Sequence, residues 1–408
     1  MTKNLLQLLK NIKYTKRTHC VVCGKKSGPP VIDLPRFPLT EIYTKSLIRE
    51  QIGFADQEFY LCRFCGHGQI GHVLDQEVLY LDTYHFRTSH SRTASSAIDY
   101  FVAFVEEITG DTCFDNVVDI GCNDLYLLKA FKDKAKKLIG IDPVLSKLKN
   151  NSPGEQFELI GDFIENVDLK SRLRGKKNLI LSSHTLEHLP DPLALLNRLM
   201  AESSPETLFC FQFPGLEPLV DDFRFDQIFH HHLNYFSLQS IEHMLGRLGA
   251  RLIKFRTNLQ HWGSYLIAFQ KKAGTKNNGG NTHGIAPKEI EQGYQLFGHQ
   301  MKTVGAKLKG IKEKNIYGYG AALMLPVLNY HLNDHLSRLK YVIDDDPQKR
   351  GYRYINFPVS IRLLKDIPDI RQATLVLTAV ATVGNIRTIL QKMFALQPRQ
   401  IIVPIPVI

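Results

Sequence analysis

No apolar run in the 408 residues approaches the ~18 that a membrane-crossing helix needs, so no spanning helix is expected. The first twenty residues are basic and weakly amphipathic. They lack the apolar centre and small-residue cleavage site of a secretion signal, and a short surface helix is expected instead. Cysteine is scarce and odd in number, at seven, which excludes a complete disulfide framework and fits reduced thiols in a cytoplasm. Acidic residues are in deficit, 40 against 51 basic, for a net charge of +11. The basic residues are scattered, with no aromatic-interleaved stripe. That argues for a solvated surface and against a nucleic-acid groove, and leaves anionic small substrates open. With 44% hydrophobic and 22% charged residues the composition is ordinary for a globular chain, long enough for two or three domains.

Four of the seven cysteines form a pattern. Cys20-Val-Val-Cys23-Gly and Cys62-Arg-Phe-Cys65-Gly are two knuckles separated by 38 residues. In each, thiolates at i and i+3 sit on a tight turn closed by glycine, and two such turns facing each other make a tetrahedral zinc site. Cys20, Cys23, Cys62 and Cys65 fill all four positions, so the zinc is structural, with no open site for catalysis. Between the knuckles lie Pro29, Pro30, Pro35 and Pro38, in loops and short strands unable to bury a core alone. Metal binding would supply folding free energy there.

A second pattern begins at Asn116-Val-Val-Asp-Ile-Gly-Cys-Asn-Asp-Leu-Tyr. Val117 to Ile120 read as a buried parallel strand, Gly121 as its sharp exit, and Tyr126 onward as a helix. Leu138-Ile-Gly-Ile-Asp142 is a second apolar strand ending in an acid. Strand, glycine turn, helix, strand, acid is a nucleoside-binding unit in which Asp142 would accept from ribose hydroxyls. A dinucleotide site wants a second glycine where Asn123 stands, to admit a pyrophosphate. S-adenosylmethionine has no phosphate and needs no such approach. Asp119 suits its amino group, and Asp162 of Gly161-Asp-Phe163 its adenine amine. Strands are expected at 178–183 and 207–213.

The segment 271–286, rich in Gly, Asn and Lys, reads as a linker, followed by a long amphipathic helix over 287–313. Asn315-Ile-Tyr-Gly-Tyr-Gly-Ala-Ala322 and Tyr341-Val-Ile-Asp-Asp-Asp346 repeat the strand–glycine–strand–acid order, with more strands at 375–380 and 400–404. That is a second Rossmann-like domain. Its missing third glycine weakens the case for NAD.

These motifs, in this order, together with Tyr84-His-Phe-Arg-Thr-Ser89, Leu186-Glu-His-Leu-Pro-Asp191, Phe225-Asp-Gln-Ile-Phe-His-His-His232 and His261-Trp-Gly-Ser264, run nearly end to end. The chain resembles the zinc-containing sugar C-methyltransferases, which act on nucleotide-linked 4-keto-deoxysugars. The resemblance implies an α/β protein in three parts: a zinc-binding knuckle domain (1–80), a class I S-adenosylmethionine-dependent methyltransferase domain (81–270) and, after the linker, a Rossmann-like domain (287–408) that holds the substrate's nucleotide. It implies that Asp119, Gly121, Asn123, Asp142 and Asp162 meet the cofactor. It also implies that His232 removes the proton beside the ketone, that His188 helps hold the sugar or its enolate, and that Tyr84 and His231 stand at the family's phenol and glutamate positions. A cytoplasmic monomer is expected.

The pattern departs from the family at named places. Phe229 and His231 replace a tyrosine and a glutamate, Phe86 a second aromatic phenol, Leu266 an arginine, Leu323 and Met324 a lysine site, and Leu125 a glycine. Exchanging glutamate for histidine beside the base reverses the available charge and would lower the base's pKa. The cofactor acids persist while substrate-facing groups change, which points to a different methyl acceptor. O- or N-methylation, a non-catalytic binding protein, and an NAD-dependent oxidoreductase remain as alternatives. Along a strand consecutive side chains alternate, so at most His230 and His232 could share a face, which makes a weak case for a second metal.

Overall fold

A computed structural model describes residues 3–79, 88–147, 154–272, 284–379 and 383–405. A short N-terminal helix, Lys3–Lys10, precedes six strands: β1 (Tyr14–Lys16), β2 (Ile32–Pro38), β3 (Tyr43–Thr44), β4 (Phe54–Leu61), β5 (Gly68–Ile70) and β6 (His72–Leu74). Strand β2 alternates buried Ile32 and Leu34 with exposed Asp33. Its register against β4 then shifts between Leu34 and Phe37, where Arg36 takes φ 50°. The apolar face so formed has no core of its own. Ile32, Leu34, Phe37 and Phe59 share one cluster with Met324, Leu328 and Tyr354 from the far end of the chain.

The central sheet has seven strands in the order β13-β14-β11-β10-β7-β8-β9. Its members are β7 (Phe114–Ile120), β8 (Ala135–Ile141), β9 (Phe157–Ile160), β10 (Asn178–Ser183), β11 (Leu208–Pro214), β13 (Ala250–Asn258) and β14 (Ser264–Lys271). Five run parallel; β14 pairs antiparallel with β11 and with β13. Val117, Val118, Leu179, Ile180 and Phe209 are fully buried, as near-continuous apolar runs must be when helices cover both faces. The covering helix Pro192–Glu202 starts where the sequence says it should: the Asp191 carboxylate accepts from the Ala194 amide at 2.9 Å and proline opens the first turn.

A two-residue strand, β12 (Asn234–Tyr235), leaves this sheet's neighbourhood and pairs with β5, completing a four-stranded sheet β12-β5-β4-β2. The long helix over Pro287–Gly310 ends three residues before the expected 313. The last third forms a parallel sheet of β15 (Ile316–Tyr319), β16 (Tyr341–Ile343), β18 (Ile361–Arg362), β19 (Thr374–Leu377) and β20 (Gln400–Ile402), in the order β18-β16-β15-β19-β20. A further short strand, β17 (Arg353–Tyr354), pairs with β3. The fold class is therefore the expected α/β. Strand β12 ties the middle of the chain to the front part and β17 ties the rear part to it, in a way that linear order does not convey.

The histidine triplet is not part of a strand. His230, His231 and His232 lie in a turn after the short 3-10 helix Phe225–Gln227, so side-chain alternation along a strand does not apply to them. The three rings go to three different neighbourhoods.

Candidate active site and zinc centre

The four cysteine sulfurs converge, every Sγ lying within 4.8 Å of the others. Cys20–Cys65 and Cys23–Cys62 are 3.6 and 3.4 Å apart, and none is in a disulfide. Tetrahedral zinc with ~2.3 Å bonds puts its sulfurs about 3.8 Å apart, so the donor set fits the metal. In each knuckle the amide of the closing glycine donates to the first cysteine's carbonyl at 2.8 Å, with Gly24 and Gly66 at φ 74° and 68°, where a Cβ would be strained. The thiols are coupled: hydrogen bonds with Cys20 and Cys65 lower the Cys62 pKa, and the same contacts raise those of Cys20 and Cys65.

The carboxyl ends of β7 and β8, beside the point where strand order reverses, carry the residues that the sequence assigns to the nucleoside. Asp119 is buried at the end of β7 with neither carboxylate oxygen hydrogen-bonded, and burial, then Asp142, pushes its pKa well up. A buried carboxylate without a donor is waiting for one, and the ammonium of a methionine moiety fits it. Gly121, at φ 80°, lets the chain pass Thr185, whose hydroxyl oxygen would stand 2.0 Å from any Cβ there. Asp142 accepts from the Asn123 amide at 2.9 Å and the Val144 amide at 2.8 Å, and so holds the loop as well as facing the crevice. Asp162 spends one oxygen on the Phe163 amide and the Asn166 side chain. Leu125, in the family's glycine position, takes φ 68° and is 5% exposed.

Next to this crevice stand the histidines. His232 and His188 meet edge to face, ring centroids 5.0 Å apart. The His188 Nδ1–H donates to the His231 carbonyl at 2.8 Å, which leaves Nε2 for the site. Glu187, 1% exposed, brings a carboxylate oxygen within 4.8 Å of a ring nitrogen of both histidines. Its Oε1 accepts from His184 Nδ1 at 3.1 Å, while Oε2 is buried without a partner. Burial, then the neighbouring His188, His184 and His231, lowers the pKa of His232 well below 6.5.

The other two histidines face elsewhere. His230 shares a hydrogen bond with Gln57 at 3.1 Å and donates to the Phe37 carbonyl at 3.2 Å. His231 bonds to Thr40 Oγ1 at 3.3 Å and the Leu79 carbonyl at 3.1 Å, with the Glu41 carboxylate 4.0 Å away. His231 thus joins the front part, whereas the sequence placed it with the catalytic group. Tyr84 lies outside the described residues. Two functional positions escaped the sequence reading altogether. Glu187 was seen only as the middle letter of a motif. Asn234 donates through Nδ2 to the carbonyls of Leu189, Leu186 and Glu187 and accepts from Arg17 and His67, tying the loop at 186–189 to the knuckles.

At the rear sheet, Asp344 accepts from the Ala321 amide at 2.7 Å and Lys349 donates to the Ala321 carbonyl at 3.0 Å, closing the Gly318-Tyr-Gly-Ala321 loop on itself.

Two knuckles with four convergent thiols, in one chain with a strand–glycine turn–strand unit that carries an orphaned acid, define a class: S-adenosylmethionine-dependent methyltransferases that carry structural zinc. Comparison with known proteins agrees. A Methyltransferase domain family matches residues 78–254 and a zinc binding domain family residues 20–80. The C-methyltransferase NovU of Streptomyces niveus is 25% identical over 322 residues, covering 74% of this chain and 75% of its own. The chain is thus an S-adenosylmethionine-dependent methyltransferase with a zinc-binding domain, similar along three quarters of its length to a C-methyltransferase, and binds S-adenosylmethionine and zinc. Among solved structures, magnesium protoporphyrin IX methyltransferase from Synechocystis PCC 6803 with bound S-adenosylmethionine aligns at 14% identity and TM-score 0.33, over 44% of this chain and 80% of that one. The Burkholderia thailandensis 1,6-didemethyltoxoflavin-N1-methyltransferase aligns at 14% and 0.34, over 43% and 79%. Among the described residues no helix is long and apolar enough to cross a membrane.

Proposed function

We propose that the chain methylates a carbon beside a ketone in a nucleotide-linked keto-deoxysugar, with an acceptor altered from the family's usual one. The observation that carries this reading is the His188–His232 pair, ring centroids 5.0 Å apart, on the loop whose Thr185 hydroxyl donates to the carbonyl of Ile120, the residue after Asp119. Bound S-adenosylmethionine supplies an electrophilic methyl on a sulfonium. Asp119 receives the cofactor's ammonium, and the loop pinned by Asp142 shapes the crevice for its ribose. His232 takes the α-proton, leaving the C–H electron pair as an enolate. His188 Nε2 faces the enolate oxygen, where a donor stabilises the developing charge. Transfer of the methyl to the enolate carbon would break its bond to sulfur and release S-adenosylhomocysteine, after which His232 returns its proton to solvent. The rear sheet holds the nucleotide. The relative named as a C-methyltransferase supports carbon as the atom attacked. Reduced thiols support a cytoplasmic enzyme, and nothing in the proposed chemistry needs a second subunit.

Exchange in deuterium oxide tests this directly. With S-adenosylhomocysteine bound, the chain should wash deuterium into the α-position of a keto-deoxysugar nucleotide, and His232→Ala should lose that exchange at least a hundredfold. No exchange with any nucleotide-linked keto sugar would sink carbon methylation. Turnover of ordinary 4-keto sugar nucleotides at family-like rates would sink the altered acceptor.

A further inference from the structure

The proposed chemistry asks two incompatible things of a pair of neutral histidines. One must accept a proton, and the other must donate to an oxygen that is becoming negative. His188 has already committed Nδ1–H to the His231 carbonyl, so its Nε2 donates only when the ring carries a second proton. A second proton means a buried cation, which is costly without a counter-charge. The neighbouring imidazoles oppose it: His184 and His231 lie close enough to lower His232, and His261 stacks edge to face on His184 with ring centroids 5.0 Å apart, while the Phe229 ring, 4.2 Å from that of His232, carries no charge. Arg17 adds a further positive charge behind the loop, donating to the Leu233 and Pro190 carbonyls. Tyr235, with its ring centroid 6.2 Å from His232, offers no charge, since burial pushes its pKa up.

Among the described residues, the carboxylate grouped with the pair is that of Glu187. Glu187 is held from both ends: its backbone carbonyl accepts from the Leu233 amide at 2.7 Å, and Oε1 accepts from His184 Nδ1. His184 is itself fixed in that tautomer because its Nε2 lies 3.0 Å from the Gln212 amide nitrogen. That leaves Oε2, buried and unpartnered, on a carboxylate within 4.8 Å of both histidines. Position 231, where the family keeps a glutamate, can no longer supply a charge.

Resting on the carbon-methylation reading, we propose that Glu187 is the positioning residue of the acceptor site: its carboxylate holds a proton on the His188–His232 pair, so that His188 donates to the enolate oxygen while His232 remains free to take the carbon-bound proton. One C–H bond breaks, one N–H bond forms on His232, and the electron pair passes to an enolate that His188 stabilises.

The test is imidazole nitrogen NMR on the full zinc-loaded chain, labelled with ¹⁵N-histidine and saturated with S-adenosylhomocysteine at neutral pH. One ring, identified by its loss in His188→Ala, should show both nitrogens protonated. Glu187→Gln should abolish that signature and lower its titration midpoint by at least one pH unit, a tenfold change in proton affinity, and Glu187→Asp should restore most of it. Zinc content and S-adenosylhomocysteine affinity in each variant establish that it has folded; should Glu187→Gln fail that check, the wild-type and Glu187→Asp spectra carry the decision. Neutral rings in the wild-type complex, or a doubly protonated ring that persists without the carboxylate, would overturn the proposal. So would a second equivalent of zinc or manganese that Glu187→Gln loses, since Glu187 would then be a ligand. If the proton is found where expected but no keto sugar exchanges deuterium, the substrate reading fails and the placement of the proton stands.

Discussion

Asp119 costs the cofactor-free protein stability and supplies it to the complex. Its folded pKa is raised by burial and by Asp142, so the fold disfavours its charged form at neutral pH, and the penalty fades as pH falls through that raised value. Asp119→Asn should therefore raise the melting temperature of the free protein by a few degrees. The same change should weaken S-adenosylmethionine by roughly 10- to 100-fold, because a charged hydrogen bond is worth about 1.5–3 kcal/mol. Calorimetric titration and melting with and without cofactor check both signs; a variant that destabilises the free chain would refute the account. Leu125 poses the opposite balance. Its left-handed backbone costs about 1–2 kcal/mol, but its side chain is buried against Gly140. Removing a buried leucine costs about 2–5 kcal/mol. Leu125→Gly, a return to the family residue, should thus destabilise by about 1–3 kcal/mol in urea unfolding, net of the strain relieved.

Among the elements, the knuckles and the first crevice strands were the most legible, because each is specified within a few residues. A CxxCG turn needs only its own glycine, and a buried parallel strand announces itself by an unbroken apolar run. The histidine turn was misjudged because its conformation is decided by partners far away: Thr40 is 191 residues from His231, and Gln57 is 173 from His230. Asn234 was invisible for the same reason. The burial has a measurable consequence. The folded pKa of His230 is lowered to about 4 and that of His231 to about 3, burial being the largest cause in each. Their stability is whole above the unfolded value near 6.5 and declines as pH falls toward the folded values, by at most about 1.4 kcal/mol per unit for each residue. Urea unfolding at pH 7.5 and 5.5, with zinc retained at both, should show that loss, and His230→Gln should flatten it. Stripping the metal is a harsher test of the same region. Structural zinc contributes about 10–16 kcal/mol in small domains, as much as a whole domain's stability. Cys65→Ala should lose the metal, and hydrogen exchange should rise across 54–74 and also at 186–189, where Asn234 holds three carbonyls.

At the scale of the molecule, front and rear parts share one apolar cluster, and Asn356 donates to the carbonyls of Leu39 and Gly53, both at 2.8 Å. Between them Glu41 sits at φ 62° beside His231, its pKa raised to about 7 by burial, with Lys349 opposing the rise. Asn356→Ala should cost about 1–3 kcal/mol, the value of a pair of buried hydrogen bonds, and should loosen the front part against the rear without touching the cofactor crevice. Unchanged S-adenosylhomocysteine affinity alongside a lowered melting temperature would show that separation; a parallel fall in both would deny it.

Strand β12 carries a consequence for the order in which the protein is made. The knuckles leave the ribosome within the first 65 residues and can take up zinc at once. The strand that completes their sheet, Asn234–Tyr235, is synthesised far later. Until it arrives β5 has an open edge, the kind of edge that recruits a neighbouring chain. Metal loading is therefore an early event and closure of the acceptor site a late one. The histidine turn, translated just ahead of β12, is drawn into place by the strand that follows it.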